Sequence, residues 1–178
     1  LKNIKPKVFH YNLLINACVK RKKFNKVEKY YKEMKSNNVE PTLRTYNTLI
    51  DACGKNGGLD KVDKFVNEMK SNNIEPDGYT YNTLISANGK NGDFDKVDEC
   101  LNEMKLNNIA LQIITYSTLI NAYGKKNDLD KVEEYLNEMK SNNIEPNGVI
   151  YNTLISVFGK NGDFDKIDEY VNEMKSNN

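Results

Sequence analysis

One spacing governs what this chain can fold into. Tyr11, Tyr46, Tyr81, Tyr116 and Tyr151 recur every 35 residues, and Met34, Met69, Met104, Met139 and Met174 keep the same period. Self-similarity at a fixed period in this range is the signature of a solenoid, in which each unit buries its apolar face only against its neighbours. Starting each unit two residues after a proline or proline-like position gives units 8–42, 43–77, 78–112 and 113–147, a truncated fifth unit 148–178, and the tail of a preceding unit at 1–7. Leu1 and the final "EMKSNN" both fall inside the recurring pattern, so the sequence is expected to be part of something longer.

Within one unit, "YTYNTLISANG" places Tyr81, Leu84 and Ile85 at i, i+3, i+4, the pattern of an amphipathic helix. "GKNGD" is then expected to break that helix with its two glycines, and Asp93 to cap a second one. In the second helix Phe94, Val97, Leu101 and Met104 form the predicted buried stripe. Asp95 and Asp98 near its start and Lys105 near its end agree with the helix dipole, and Pro76 and Pro146 prevent the chain from running on as helix into the next unit. Each unit is therefore predicted to be a helical hairpin with too little apolar surface to stand alone, and the whole to be an all-α superhelical array.

Net charge is +1, so binding to a polyanion has to come from local arrangement rather than from a global excess of positive charge. Cys18, Cys53 and Cys100 are odd in number and lack the close pairing of a zinc site or redox motif, so they are read as reduced, small buried residues. No apolar run approaches the roughly 20 residues needed to cross a membrane. No membrane partner, small-molecule substrate or cofactor is expected.

Against this uniform scaffold one place varies: the residue after the proline is Lys7, Thr42, Asp77, Gln112 and Asn147 in turn. Tetratricopeptide units have 34 residues and open on a tryptophan motif, but this chain has no tryptophan. The 35-residue period, the "TYNTLI" opening, the "NEMKSNNIEPD" close and the Gly-Lys pair instead resemble the pentatricopeptide repeat family over essentially the whole chain. The resemblance implies a right-handed superhelical solenoid of stacked helix-turn-helix repeats. It also implies binding of single-stranded RNA at about one base per repeat, read by two or three side chains.

In that family the main readers are the fifth and last residues of a unit. The resemblance thus assigns base reading to Asn12 with Thr42, Asn47 with Asp77, Asn82 with Gln112, and Ser117 with Asn147, while Asn152 opens a fifth pair. An Asn amide both donates and accepts and suits a pyrimidine, the shorter Ser117 leaves room for a purine, and ionised Asp77 accepts from a base N–H such as that of uracil. With the family's pairing habits the expected core is 5′-Y-U-Y-A-Y-3′, the third base weakly specified because Leu111 stands where other units have proline. The second residues, Phe9, Arg44, Tyr79, Ile114 and Val149, fall where the family sandwiches a base between adjacent repeats. The thirteenth residues, Lys20, Lys55, Lys90, Lys125 and Lys160, are lysine in every unit and suit the phosphate backbone.

Each row also has a plainer explanation. The lysines answer the dipole at a helix C-terminus, the asparagines can cap or bond locally near a helix start, and the last residue can drift at a solvated turn. The tyrosines at the fourth position are assigned to packing. Nothing suggests an enzyme: His10 is the only histidine and has no nucleophile arranged with it, and "GKNGG" at 54–58 lacks the Gly-Lys-Ser/Thr ending of a phosphate loop. The reading is a sequence-selective RNA-binding array acting in organellar RNA processing, stability or translation. The resemblance alone points to mitochondria or plastids. The alternatives are a structural repeat protein of a larger ribonucleoprotein, such as an organellar ribosome, in contact with ribosomal RNA or ribosomal proteins, and a protein-binding solenoid.

Overall fold

The computed structural model describes residues 5–176. Residues 1–4 of the assigned tail and 177–178 of the fifth unit lie outside them. Ten helices and no strand occur among the described residues. They are α1 Val8–Lys20, α2 Phe24–Ser36, α3 Leu43–Lys55, α4 Leu59–Ser71, α5 Gly78–Asn91, α6 Phe94–Leu106, α7 Ile113–Lys126, α8 Leu129–Ser141, α9 Gly148–Lys160 and α10 Phe164–Ser176. The odd-numbered members open on the tyrosine motif, and the even-numbered ones carry the "NEMK"-type stripe.

The chain divides into two compact units, one ending at Asn91 and the other beginning at Gly92. In the first, α1 pairs with α2 and α3 with α4, and α3 packs between α1 and α5. Its core is Tyr11, Ile15 and Met34 with Tyr46, Leu49, Ile50, Val62 and Met69, all without solvent exposure. In the second, α7 pairs with α8, α9 with α10, and α7 packs on α9 around Leu119, Ile120, Val132, Met139, Ile150 and Leu154. These are the apolar positions that the helical periodicity selects.

The buried tyrosine hydroxyls still need partners. Tyr11 Oη accepts from Asn37 Nδ2 at 2.7 Å and lies 3.3 Å from Glu33 Oε1, and Tyr116 repeats the arrangement with Asn142 at 2.9 Å and Glu138 at 3.4 Å. This ties each first helix to the end of its own second helix, so the tyrosine row serves packing. Successive second helices are joined by ion pairs: Lys35 to Glu68 at 2.6 Å and Lys61 to Glu28 in the first unit, Lys140 to Glu173 at 2.6 Å and Lys166 to Glu133 at 3.0 Å in the second. Their solvent exposure keeps each at about 0–1 kcal/mol, so they set register more than stability.

Three expectations change. The first helix runs through the Gly-Lys pair rather than stopping there: Gly54 and Gly124 are buried within α3 and α7. The break comes three residues later, where Gly57, Gly92 and Gly162 adopt φ of 73, 78 and 73°, and where Lys22 and Asn127 take left-handed φ of 55 and 65° in the other repeats. The "GKNGG" stretch therefore begins inside α3 instead of between helices. Phe94 is half-buried, its ring against Tyr123 with centroids 4.9 Å apart, while Val97, Leu101 and Met104 are buried. Cys53 is half-buried, unlike Cys18 and Cys100, and burial pushes its thiol up to about 11. As expected, Asp93 caps α6, accepting from the Lys96 amide, and Asp128 caps α8 in the same way through the Lys131 amide.

Candidate nucleic-acid interface

The variable last residue is the N-cap of the next odd-numbered helix rather than a free turn position. Asp77 Oδ1 accepts from the Thr80 amide at 2.8 Å, and Asn147 Oδ1 accepts from the Val149 and Ile150 amides at 3.1 Å each. At Thr42 and Gln112 the backbone amides donate to Thr45 Oγ1 at 3.0 Å and Thr115 Oγ1 at 3.2 Å, as the Asp77 amide also does to Thr80 Oγ1 at 3.2 Å. Thr, Asp and Asn are favoured N-caps and Gln is not, so capping explains part of the choice of residue but not its variation.

The fifth residue faces the same place from the preceding repeat. Asn47 on α3 is buried; its Nδ2 donates to Asp77 Oδ1 at 3.3 Å, and its Oδ1 accepts from Thr80 Oγ1 at 2.6 Å. Asn12 on α1, also buried, accepts from Thr45 Oγ1 at 2.8 Å and reaches Thr42 only through that hydroxyl, 3.2 Å from Thr42 Oγ1. Asn82 is half-buried, its Oδ1 without a hydrogen-bond partner among the described residues, Ser117 is half-buried, and Asn152 is exposed.

Around Asn47 and Asp77 the first unit opens a groove of about 470 Å³, lined also by Asn16, Leu43, Arg44, Thr48 and Tyr79. Arg44 and Tyr79 are both exposed, Tyr79 by 57%. A guanidinium and an aromatic ring, two groups able to stack on a planar base, thus share the groove with one amide and one carboxylate. Burial pushes the Asp77 carboxyl up, but hydrogen bonds from the Thr80 amide and hydroxyl and from Asn47 outweigh it and hold the carboxyl below the usual aspartate range. At neutral pH Asp77 is ionised and only accepts. The sign for stability follows: a depressed folded value contributes stability that is present above the unfolded pKa and lost as pH falls through the folded one. An acid titration followed at the Thr80 amide resonance should accordingly show its transition below the usual aspartate midpoint.

In the second unit Val149, Asn152 and Thr153 of α9 share a groove of about 370 Å³ with Lys125 of α7 and Lys160. This joins a candidate reader, a candidate stacking residue and two candidate phosphate ligands. The other candidates are more dispersed. Phe9 and Ile114 are exposed on their helices but line neither groove, and Lys20 and Lys90 stand exposed at helix ends. Lys55 is bound to Asp51 at 2.7 Å, so its charge is locally answered. Sequence reasoning missed Thr45 and Thr80, the third residues of their repeats. The available signal was their spacing of 33 residues from Asn12 and Asn47, which becomes meaningful only once adjacent first helices are known to touch.

A family model described as the pentacotripeptide-repeat region of PRORP matches residues 9–178. The chain belongs to the pentatricopeptide repeat family. No match is found among curated protein sequences. Among solved structures, the pentatricopeptide repeat protein PPR10 from maize superposes with a TM-score of 0.76 at 23% identity, over 98% of this chain and 25% of its own. PPR10 in complex with an 18-nt psaJ RNA element gives 0.87 at 22% identity, over 98% and 26%. The PPR domain of Arabidopsis thaliana protein-only RNase P 1 in complex with tRNA gives 0.71 at 19% identity, over 91% and 86%. Nuclear proteinaceous RNase P 2 from A. thaliana gives 0.69 at 16% identity, over 96% and 38%. The chain spans about a quarter of PPR10. These likenesses show its fold, an all-α helical repeat solenoid.

Proposed function

We propose that this pentatricopeptide repeat chain binds single-stranded RNA and selects bases repeat by repeat, with the core 5′-Y-U-Y-A-Y-3′. The observation that carries the reading is the groove that Asn47 and Asp77 line together with Arg44 and Tyr79. Two stacking surfaces hold a base of any identity, and the amide and carboxylate of the same groove discriminate its edge. Ionised Asp77 favours the N3–H of uracil over the bare N3 of cytosine. PPR10 and the RNase P 1 repeat domain were each solved with RNA, which supports RNA as the partner class.

The repeats act as a binding module, and catalysis is assigned to no residue among them. The proposed setting is organellar RNA processing, stability or translation. One of the matched structures belongs to a nuclear protein, so a fluorescent fusion of the whole protein is the direct check on compartment.

The test of base selection is enrichment from a randomised single-stranded RNA pool by the wild-type chain and by Asp77→Asn, at fixed salt. Asparagine is an equally good N-cap, so the substitution leaves α5 anchored while replacing a pure acceptor with a group that also donates. The wild type is expected to enrich U-x-A, and the variant to shift the U toward C by roughly 3- to 10-fold, the value of one exchanged hydrogen bond. Unselective enrichment by the wild type would move the ribonucleoprotein scaffold reading to first place.

A further inference from the structure

We propose that Thr45 and Thr80, the third residues of their repeats, are positioning residues that fix which end of the preceding repeat's asparagine amide faces the base. This rests on the base-reading assignment of Asn12 and Asn47 and adds a residue to it. Both threonines are fully buried, without solvent exposure. An asparagine amide has two nearly isosteric ends of opposite hydrogen-bonding character, so its orientation decides what a base meets.

At Thr80 the orientation is set by a closed set of contacts. The Asp77 amide donates to Thr80 Oγ1 at 3.2 Å, which occupies a lone pair and leaves the hydroxyl proton to be given away. That proton lies between Asn47 Oδ1 at 2.6 Å and Asp77 Oδ1 at 2.8 Å. Asn47 Nδ2 then donates to the carboxylate at 3.3 Å. Turning the amide over would set Asn47 Oδ1 against Asp77 Oδ1, acceptor against acceptor, and would leave Nδ2 to face the hydroxyl. Thr45 repeats the two threonine contacts: the Thr42 amide donates to its Oγ1 at 3.0 Å, and it donates to Asn12 Oδ1 at 2.8 Å, with Thr42 Oγ1 3.2 Å from the hydroxyl in place of the carboxylate.

In both repeats the carbonyl end is therefore consumed by the scaffold, and the amide N–H is the end left for the groove. A fixed donor selects the O2 acceptor that uracil and cytosine share. The threonine thus makes the asparagine a pyrimidine reader, and the last residue divides the pyrimidines. The fourth repeat fits the rule from the other side: Ser117 is a rotor with no ends to distinguish, and the third residue of the following repeat is the buried Ile150, which has no hydroxyl.

The experiment measures equilibrium binding of RNA containing C-U-C-A-C, with the U replaced in turn by C, A and G, to wild type, Thr80→Ser, Thr80→Val and Asp77→Asn. Serine keeps the hydroxyl, whereas valine keeps the shape and removes it. Thr80→Val is expected to reduce discrimination of U over A by roughly 3- to 10-fold, the worth of one hydrogen bond, with Thr80→Ser restoring most of it. If Thr80→Val weakens all four RNAs equally, its role is only structural and the proposal falls. If wild type and Asp77→Asn show no preference at that base, the base-reading assignment itself fails, and positioning fails with it.

Discussion

Replacing Lys20, Lys90, Lys125 and Lys160 together by alanine should lower RNA affinity at 0.1 M salt by two to three orders of magnitude while leaving base preference unchanged. All four side chains are exposed, and none makes an ion pair among the described residues. Each phosphate contact on a single strand contributes roughly 0.7 to the slope of log affinity against log salt, so four contribute about 2.8. That slope makes the counterion-release contribution at 0.1 M roughly 600-fold relative to 1 M salt. The measurement is a salt titration of binding: the variant's slope should be shallower by about 2 to 3. Unchanged slopes would assign the lysines to the helix dipole alone, since a charge answering its own helix terminus releases no counterions from RNA.

The fifth member of the row supplies an internal control. Lys55 is already held by Asp51 at 2.7 Å, one turn earlier in α3. Its charge faces a carboxylate whether or not RNA is bound, so Lys55→Ala should reduce the slope less than Lys125→Ala does. A uniform row in the sequence thus separates into four free charges and one answered charge, a difference set by Asp51 standing where the other repeats have Asn16, Ser86, Asn121 and Ser156.

The same contrast explains what could be read without coordinates. Helix positions and core followed from period and apolar spacing, because Tyr46, Leu49 and Ile50 depend on local helical geometry to find the same face. The Asp93 cap was legible for the same reason, requiring only its own next turn. What stayed hidden depends on contacts between repeats. Thr45 and Thr80 look like ordinary helix residues until α1, α3 and α5 are laid side by side. The glycines of the Gly-Lys pair look like helix breakers for the same reason, since a single unit gives no hint that Gly54 has a neighbouring helix against it.

That neighbour makes Gly54→Val the substitution expected to damage fold and site together. A Cβ at Gly54 would stand 2.7 Å from Ala87 Cβ, an atom fixed to the α5 backbone that cannot rotate away. Valine adds two more carbons, so α3 and α5 have to separate. Overpacking of this kind costs about 1–3 kcal/mol, only slightly offset by valine's better helix propensity than glycine's, a few tenths of a kcal/mol. The bonds from Asn47 to Thr80 and Asp77, at 2.6 and 3.3 Å, span the same pair of helices and should be lost as these move apart. Hydrogen exchange should show α3 and α5 amides deprotected by about tenfold or more, because repeat arrays destabilise unit by unit rather than all at once. Preference for uracil at the second base should fall in parallel. Ala87→Gly removes the opposing methyl and by itself costs about 1 kcal/mol of helix propensity. Combined with Gly54→Val it should nonetheless leave the double variant more stable than the sum of the single effects, by about 1 kcal/mol of coupling. Strict additivity would mean that the two helices do not approach through these residues, and the close packing that aligns the fifth residue of one repeat with the third of the next would need another origin.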